Sequence, residues 1–174
     1  NVNVMICDRN YQVVYMNKAS QSTLQRAESM IQKAIPSFRA EKVIGSCIDQ
    51  YHKSPAAVRQ ILDNPNNLPY RVEIKLASLT LDLSVTAIVN GKGEYLGNAV
   101  EWADVTAAKT ALAEVDQLVT DAAAGKLSNR IDASRFDGGY KALSEGINRL
   151  LDAVVTPLHE AQTVLTALSQ GDLR

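Results

Sequence analysis

Cysteine is scarce in this sequence, which carries only Cys7 and Cys47. Their separation matches no metal-binding spacing, and two thiols are too few to staple a small secreted fold, so a reducing compartment is indicated. Long apolar runs are missing as well. Nothing approaches the roughly 20 residues needed to cross a bilayer, and the start, NVNVMICD, lacks the basic-then-apolar order of a signal peptide. A cytoplasmic, soluble piece is expected. Opening on Asn1 and ending at GDLR, it reads as part of something longer. Neither sign of charge dominates: the formal net charge is -1, which leaves no basic surface to attract nucleic acid or an anionic membrane. Catalytic signatures are absent too. There is no glycine-rich phosphate loop, no Gly-x-Ser-x-Gly elbow and no His-Glu-x-x-His pair, so no enzyme activity is expected. Acidic residues such as Glu73 and Asp82 alternate along β-rich segments and read as polar residues of a sheet face.

What is present changes character near residue 106. At 174 residues the chain has room for two small units. Before 106, short apolar segments are broken by turn residues; after it, Ala, Leu and Val recur at helical spacing with few breakers. Val2, Val4 and Ile6 alternate with polar neighbours, Asp8 to Asn10 form a turn, and Gln12 to Met16 alternate again, which predicts a hairpin. Asn17 stands where a helix N-cap belongs, ahead of helix formers from Lys18 to Ile31. A short segment around Tyr51 and His52 precedes a second helix opening at Pro55. Strands are then expected over Arg71 to Leu76, Thr80 to Val89 and Tyr95 to Trp102, the last two joined by NGKGE. The fold class is therefore α+β: a five-stranded antiparallel sheet with helices on one face.

In the second part, Ala111, Val115, Leu118 and Ala122 are spaced by four, three and four, and Leu143, Ile147, Leu150 and Val154 repeat that spacing. The average period of 3.5 is that of helices wound about each other. A polar, Gly-punctuated connector with Leu127 and Ile131 lies between. A third helix is expected to open at Pro157 with the seam Leu158, Ala161, Leu165 and Leu168. AAAGKLSNRI and ALSQGDLR share one scheme, an internal repeat.

The strand and helix order, the hairpin ending in YMNKA and the closing EWADVT resemble a PAS domain of methyl-accepting chemotaxis receptors over residues 1–106. In PAS domains an Asp-x-Thr triplet couples the last strand to an outgoing helix, and Asp104, Val105 and Thr106 match it. Residues 107–156 resemble a HAMP unit, in which a glycine precedes a buried Leu in the connector; Gly125 and Leu127 match, with Glu145 on the following helix. Residues 157–174 resemble the start of a second, truncated unit, through Pro157, Gly171, Asp172 and Leu173. A single amphipathic helix pair cannot bury its seam alone, so a parallel homodimer forming a four-helix bundle is expected.

The stretch IDQYHKSPAAVRQ is similar to the IDxFHKNPxHQ stretch of chemotaxis-receptor PAS domains, including haem-binding aerotaxis receptors. There a His ligates haem iron, and a Trp on the last strand can bond the gas held on it; His52 and Trp102 stand at those positions. Tyr51, Ser54 and Val58 depart from the pattern. Without the motif, a lone His in a polar segment is a surface residue and Trp102 a core residue. The resemblance implies haem b and a diatomic gas ligand, with oxygen first, and a signal relayed through Asp104, Thr106, Gly125, Leu127 and Pro157 to a distal kinase-control domain. The alternative is the same architecture without haem, holding a small organic ligand or serving dimerisation and transmission only.

Overall fold

A computed structural model describes residues 2–171, and the chain folds as two compact units, Asn1–Thr106 and Ala107–Arg174. The first holds five strands, β1 (Asn3–Asp8), β2 (Val13–Met16), β3 (Tyr70–Leu76), β4 (Leu79–Val89) and β5 (Tyr95–Asp104), and two helices, α1 (Lys18–Ile31) and α2 (Pro55–Leu62). The sheet order is β2-β1-β5-β4-β3, every neighbouring pair antiparallel. A five-stranded antiparallel sheet with helices on one face is the architecture expected from the alternation.

Period-2 alternation decides which side of the sheet is buried. On β5, Asn98, Val100 and Trp102 face the helices; their register partners Cys7, Met5 and Asn3 on β1, and Val85 and Leu83 on β4, continue that inner face. Glu73, Asp82 and Glu101 lie exposed on the other side. Gly97 permits the close approach of β5 to β1: a Cβ there would sit 2.1 Å from the Cys7 carbonyl oxygen, and its φ is +152°. The core beneath the sheet gathers Val13, Met16, Leu24, Ala27, Ile31, Phe38, Val43, Leu81 and Trp102.

Asn17 does cap α1. Its side-chain oxygen accepts from Ser20 N at 2.9 Å and from Val4 N at 3.1 Å, while its amide nitrogen donates to the Val2 carbonyl at 2.8 Å. One side chain thus starts the helix and ties it to β1.

The second unit holds α3 (Thr106–Ala123) and α4 (Gly138–Ser169). Gly125, at φ +82°, ends α3: its N–H bonds the Ala122 carbonyl at 3.0 Å and Lys126 N–H bonds the Asp121 carbonyl at 2.9 Å, a pairing that requires a left-handed residue. The connector then packs Ile131 and Phe136 against Ala111 and Leu118. Asn148 clamps it, accepting from Ile131 N at 2.9 Å and donating to Ile131 O at 2.8 Å.

The helical unit departs from expectation at two points. No third helix opens at Pro157, because α4 runs unbroken through it; the flanking helix formers carry the ladder across one missing N–H. Leu127, expected as the buried connector residue, is only half-buried, and the buried connector positions are Ile131 and Phe136. Asp172 and Leu173 lie outside the described residues.

Candidate functional site

Between the inner sheet face and the helices lies a cavity of about 240 Å3, walled mainly by apolar side chains. The sheet contributes Met5, Cys7, Leu83, Val85, Val100 and Trp102. The facing wall contributes Leu24, Phe38, Tyr51 and His52, with Val58 and Leu62 from α2. His52 and Trp102, far apart in sequence, therefore line one space. Val58, one of the departures from the motif, lines it too.

His52 follows the 3-10 turn Ile48–Tyr51 and is exposed at the cavity edge. Its Nδ1 lies 2.8 Å from the Ile48 carbonyl oxygen. A carbonyl only accepts, so Nδ1 carries a hydrogen, and in the neutral ring Nε2 is then the nitrogen with the lone pair. That is the form in which imidazole serves as a metal ligand, with the outer nitrogen oriented by a backbone carbonyl. Nearby, Arg59 pairs with Asp49 and lies 4.3 Å over the Tyr11 ring; the Arg59 hydrogen bond holds the Asp49 carboxyl below its ordinary range.

Trp102 is 6% exposed, and among the described residues its Nε1 is the buried side-chain polar atom without a hydrogen-bond partner. Leaving such a donor unmade costs about 1–3 kcal/mol, a cost that persists where a site is built to bind something.

Asn98 of the wall, and Tyr95 beside it, were not singled out from sequence. Asn98 is 3% exposed and faces the cavity, and Tyr95 places its hydroxyl 2.5 Å from the Leu62 carbonyl oxygen and beside the Asn98 amide. Burial holds the Tyr95 phenol above its ordinary value, so it remains a donor. The signal in the sequence was a polar residue in phase with Val100 and Trp102 on the inner face. Cys7 also lines the space, and burial pushes its thiol up to about 12.

Of the expected relay residues, Asp104 and Thr106 come together. The Asp104 carboxylate accepts from Thr106 N at 2.9 Å and from its hydroxyl at 2.5 Å, while that hydroxyl accepts from Thr80 N at 2.8 Å. Trp102 precedes Asp104 by two positions on β5. Gly125 and Leu127 sit in the connector of the second unit and Pro157 within α4, none of them near Asp104 in sequence.

Comparison with known proteins places this geometry. The methyl-accepting chemotaxis protein McpB of Pseudomonas aeruginosa is 38% identical over 171 residues, which is 98% of this chain and 25% of that protein. A solved structure of the Aer2 receptor from Vibrio cholerae, titled a dual PAS-haem oxygen sensor, is 37% identical with a TM-score of 0.59; the match covers 61% of this chain and 96% of that one. A family profile described as HAMP domain matches residues 135–174. The chain belongs to the PAS–HAMP chemoreceptors. It spans a quarter of the length of the curated chemoreceptor it matches. The PAS portion carries the cavity, and the HAMP match takes in the last connector turn and the described length of α4, running across position 157. Among the described residues, no helix of this chemoreceptor segment is long and apolar enough to cross a membrane.

Proposed function

We propose that the PAS unit binds haem through His52 and senses a diatomic gas, oxygen first, and that the HAMP helices relay its state to a distal kinase-control domain of the parent receptor. The observation that carries this reading is the buried, unpartnered Nε1–H of Trp102, a residue that lines the same cavity as His52. The donor set fits the group. Haem, when bound, supplies an iron that takes up a small gas. His52 would hold that iron, its ring kept in one tautomer by the Ile48 carbonyl. Trp102 would offer its N–H to negative charge developing on a gas ligand. The apolar walls keep water away from Trp102, while His52 stands at the exposed edge of the cavity. At about 240 Å3 the cavity is smaller than the about 300–1,000 Å3 usual for ligand pockets, so a macrocycle needs the wall carrying Val58 to move outward. Leu62 alone of the α2 residues is buried, so that wall is lightly held by packing.

A change in what Trp102 bonds alters β5 two residues before the Asp104 and Thr106 pair, and α3 begins at Thr106. A ligand shifts such an equilibrium only by its differential affinity for two states; about 5.5 kcal/mol moves it from 1:99 to 99:1. No reaction is assigned: the unit works by binding, in the cytoplasm, as a homodimer through parallel helices. The small cavity volume favours one second reading, a haem-free PAS domain holding a small organic molecule.

The test is to express the chain in haem-sufficient cells and record its visible spectrum, reduced, then with oxygen or carbon monoxide, beside His52→Ala. The expected result is a stoichiometric Soret band that shifts with gas and is lost in the variant. A colourless protein that refuses added haem overturns the haem reading and leaves the organic-ligand one.

A further inference from the structure

The Tyr95 hydroxyl touches two acceptors, the Leu62 carbonyl oxygen at 2.5 Å and the amide oxygen of Asn98. It has one proton to give. The backbone carbonyl can only accept, so the proton goes there; the Asn98 amide is relieved by turning over, so that its NH2 donates to the Tyr95 oxygen. The amide oxygen then occupies the other end of the group, which makes no hydrogen bond to any described residue. Asn98 is 3% exposed and lines the cavity, so the surroundings left to that free end are the mainly apolar cavity. Four positions along β5, ~13 Å at 3.3 Å per residue, Trp102 offers an unmade donor.

The geometry points to Asn98 as a second ligand-contacting residue of the cavity: its carbonyl oxygen, oriented by Tyr95, accepts a hydrogen bond from a neutral hydroxyl or N–H of a small molecule. The anchor makes the orientation specific. Tyr95 is itself held by Leu62, so the acceptor is tied to the end of α2, the wall whose position sets the room available. A carbonyl at this point rejects carboxylates and other acceptor-only groups, and an apolar group of the same shape leaves the oxygen unpaired, which costs more than the hydrogen bond itself contributes. The inference rests on the reading of this cavity as the sensory site, and not on haem.

A suitable probe pair is phenol and toluene, matched in shape and differing in one donor. A dry apolar cavity of about 150 Å3 takes benzene, so both fit here. Titrated by calorimetry against the haem-free full chain, both should bind. The ratio of phenol to toluene affinity should fall about tenfold in Asn98→Leu, the size of one hydrogen bond to a buried acceptor. Tyr95→Phe, which keeps the ring and removes only the hydroxyl, should lose part of the same ratio because the amide is no longer oriented. Near-ultraviolet circular dichroism verifies that each variant is folded, and should Asn98→Leu not fold, Tyr95→Phe decides alone. An unchanged ratio in the folded variants overturns the role of Asn98 while leaving the cavity as the site. Binding of neither probe to the wild type overturns both.

Discussion

Trp102 combines a ring that the core needs with a nitrogen that the core leaves unpaired, and the two properties separate on substitution. Trp102→Phe retains aromatic packing and deletes the orphaned donor, so stability should hold or rise by up to about 1 kcal/mol in urea unfolding, while gas affinity of the loaded protein falls. A simple core role for Trp102 would show as a stability loss of a few kcal/mol with gas affinity unchanged. Cys7 offers a second residue-level prediction. With its thiol raised to about 12 by burial and 5% of its surface exposed, it stays protonated in the fold at pH values where an unfolded thiol, near 9, ionises. Its contribution to stability is complete below about 9 and is lost as pH rises toward about 12. Urea midpoints should therefore fall between pH 9 and 11 more steeply in the wild type than in Cys7→Ala. Mass spectrometry after alkylation at pH 8 should find Cys47 labelled well before Cys7.

Among the elements, α1 and α4 make opposite predictions. Asn17→Ala removes the cap of α1 together with its ties to Val4 and Val2, and should cost about 1–2 kcal/mol of stability, at the upper end of cap losses. In α4 the native residue is the unfavourable one. Pro157 interrupts the ladder inside a 32-residue helix, at a cost of about 3 kcal/mol relative to Ala. Pro157→Ala should raise the melting temperature of the helical unit and the ellipticity at 222 nm. If Pro157 belongs to the relay, the same change should also make the output less responsive to the PAS ligand, whereas a residue that only marks a boundary would leave the response intact.

For the whole molecule, the unmet need is the exposed stripe along the helices. Leu143, Leu150, Val154, Leu158, Leu165 and Leu168 of α4 are each at least half exposed, and they follow one another at seven, four, four, seven and three positions, the helical recurrence of a seam that two chains bury together. Leu150→Glu should weaken self-association at least tenfold in sedimentation equilibrium and leave the spectrum of the PAS unit unchanged. A wild type that stays monomeric at high micromolar concentration would remove the dimer from the proposal.

The local chain by itself determined the pieces. Asn17 before a run of helix formers, Pro55 at a first turn, and alternation on five segments specify α1, α2 and the strands, because capping and period-2 burial are properties of neighbouring residues. The pairing of His52 with Trp102 was legible only through a motif, since nothing local states that residues so far apart in the chain share a cavity. Tertiary structure decided the rest. Asn98 reads as an ordinary strand polar residue until register turns it inward beside Tyr95 and the end of α2. Leu127 matched a pattern, yet Ile131 and Phe136 took the buried places, because the clamp from Asn148 holds Ile131 against α3 and α4. Pro157 signalled a helix start in isolation, and neighbours on both sides with strong helical preference carried one helix through it. Sequence specifies what each segment prefers; which side chains meet, and which polar atoms are left without partners, follows only when the segments pack.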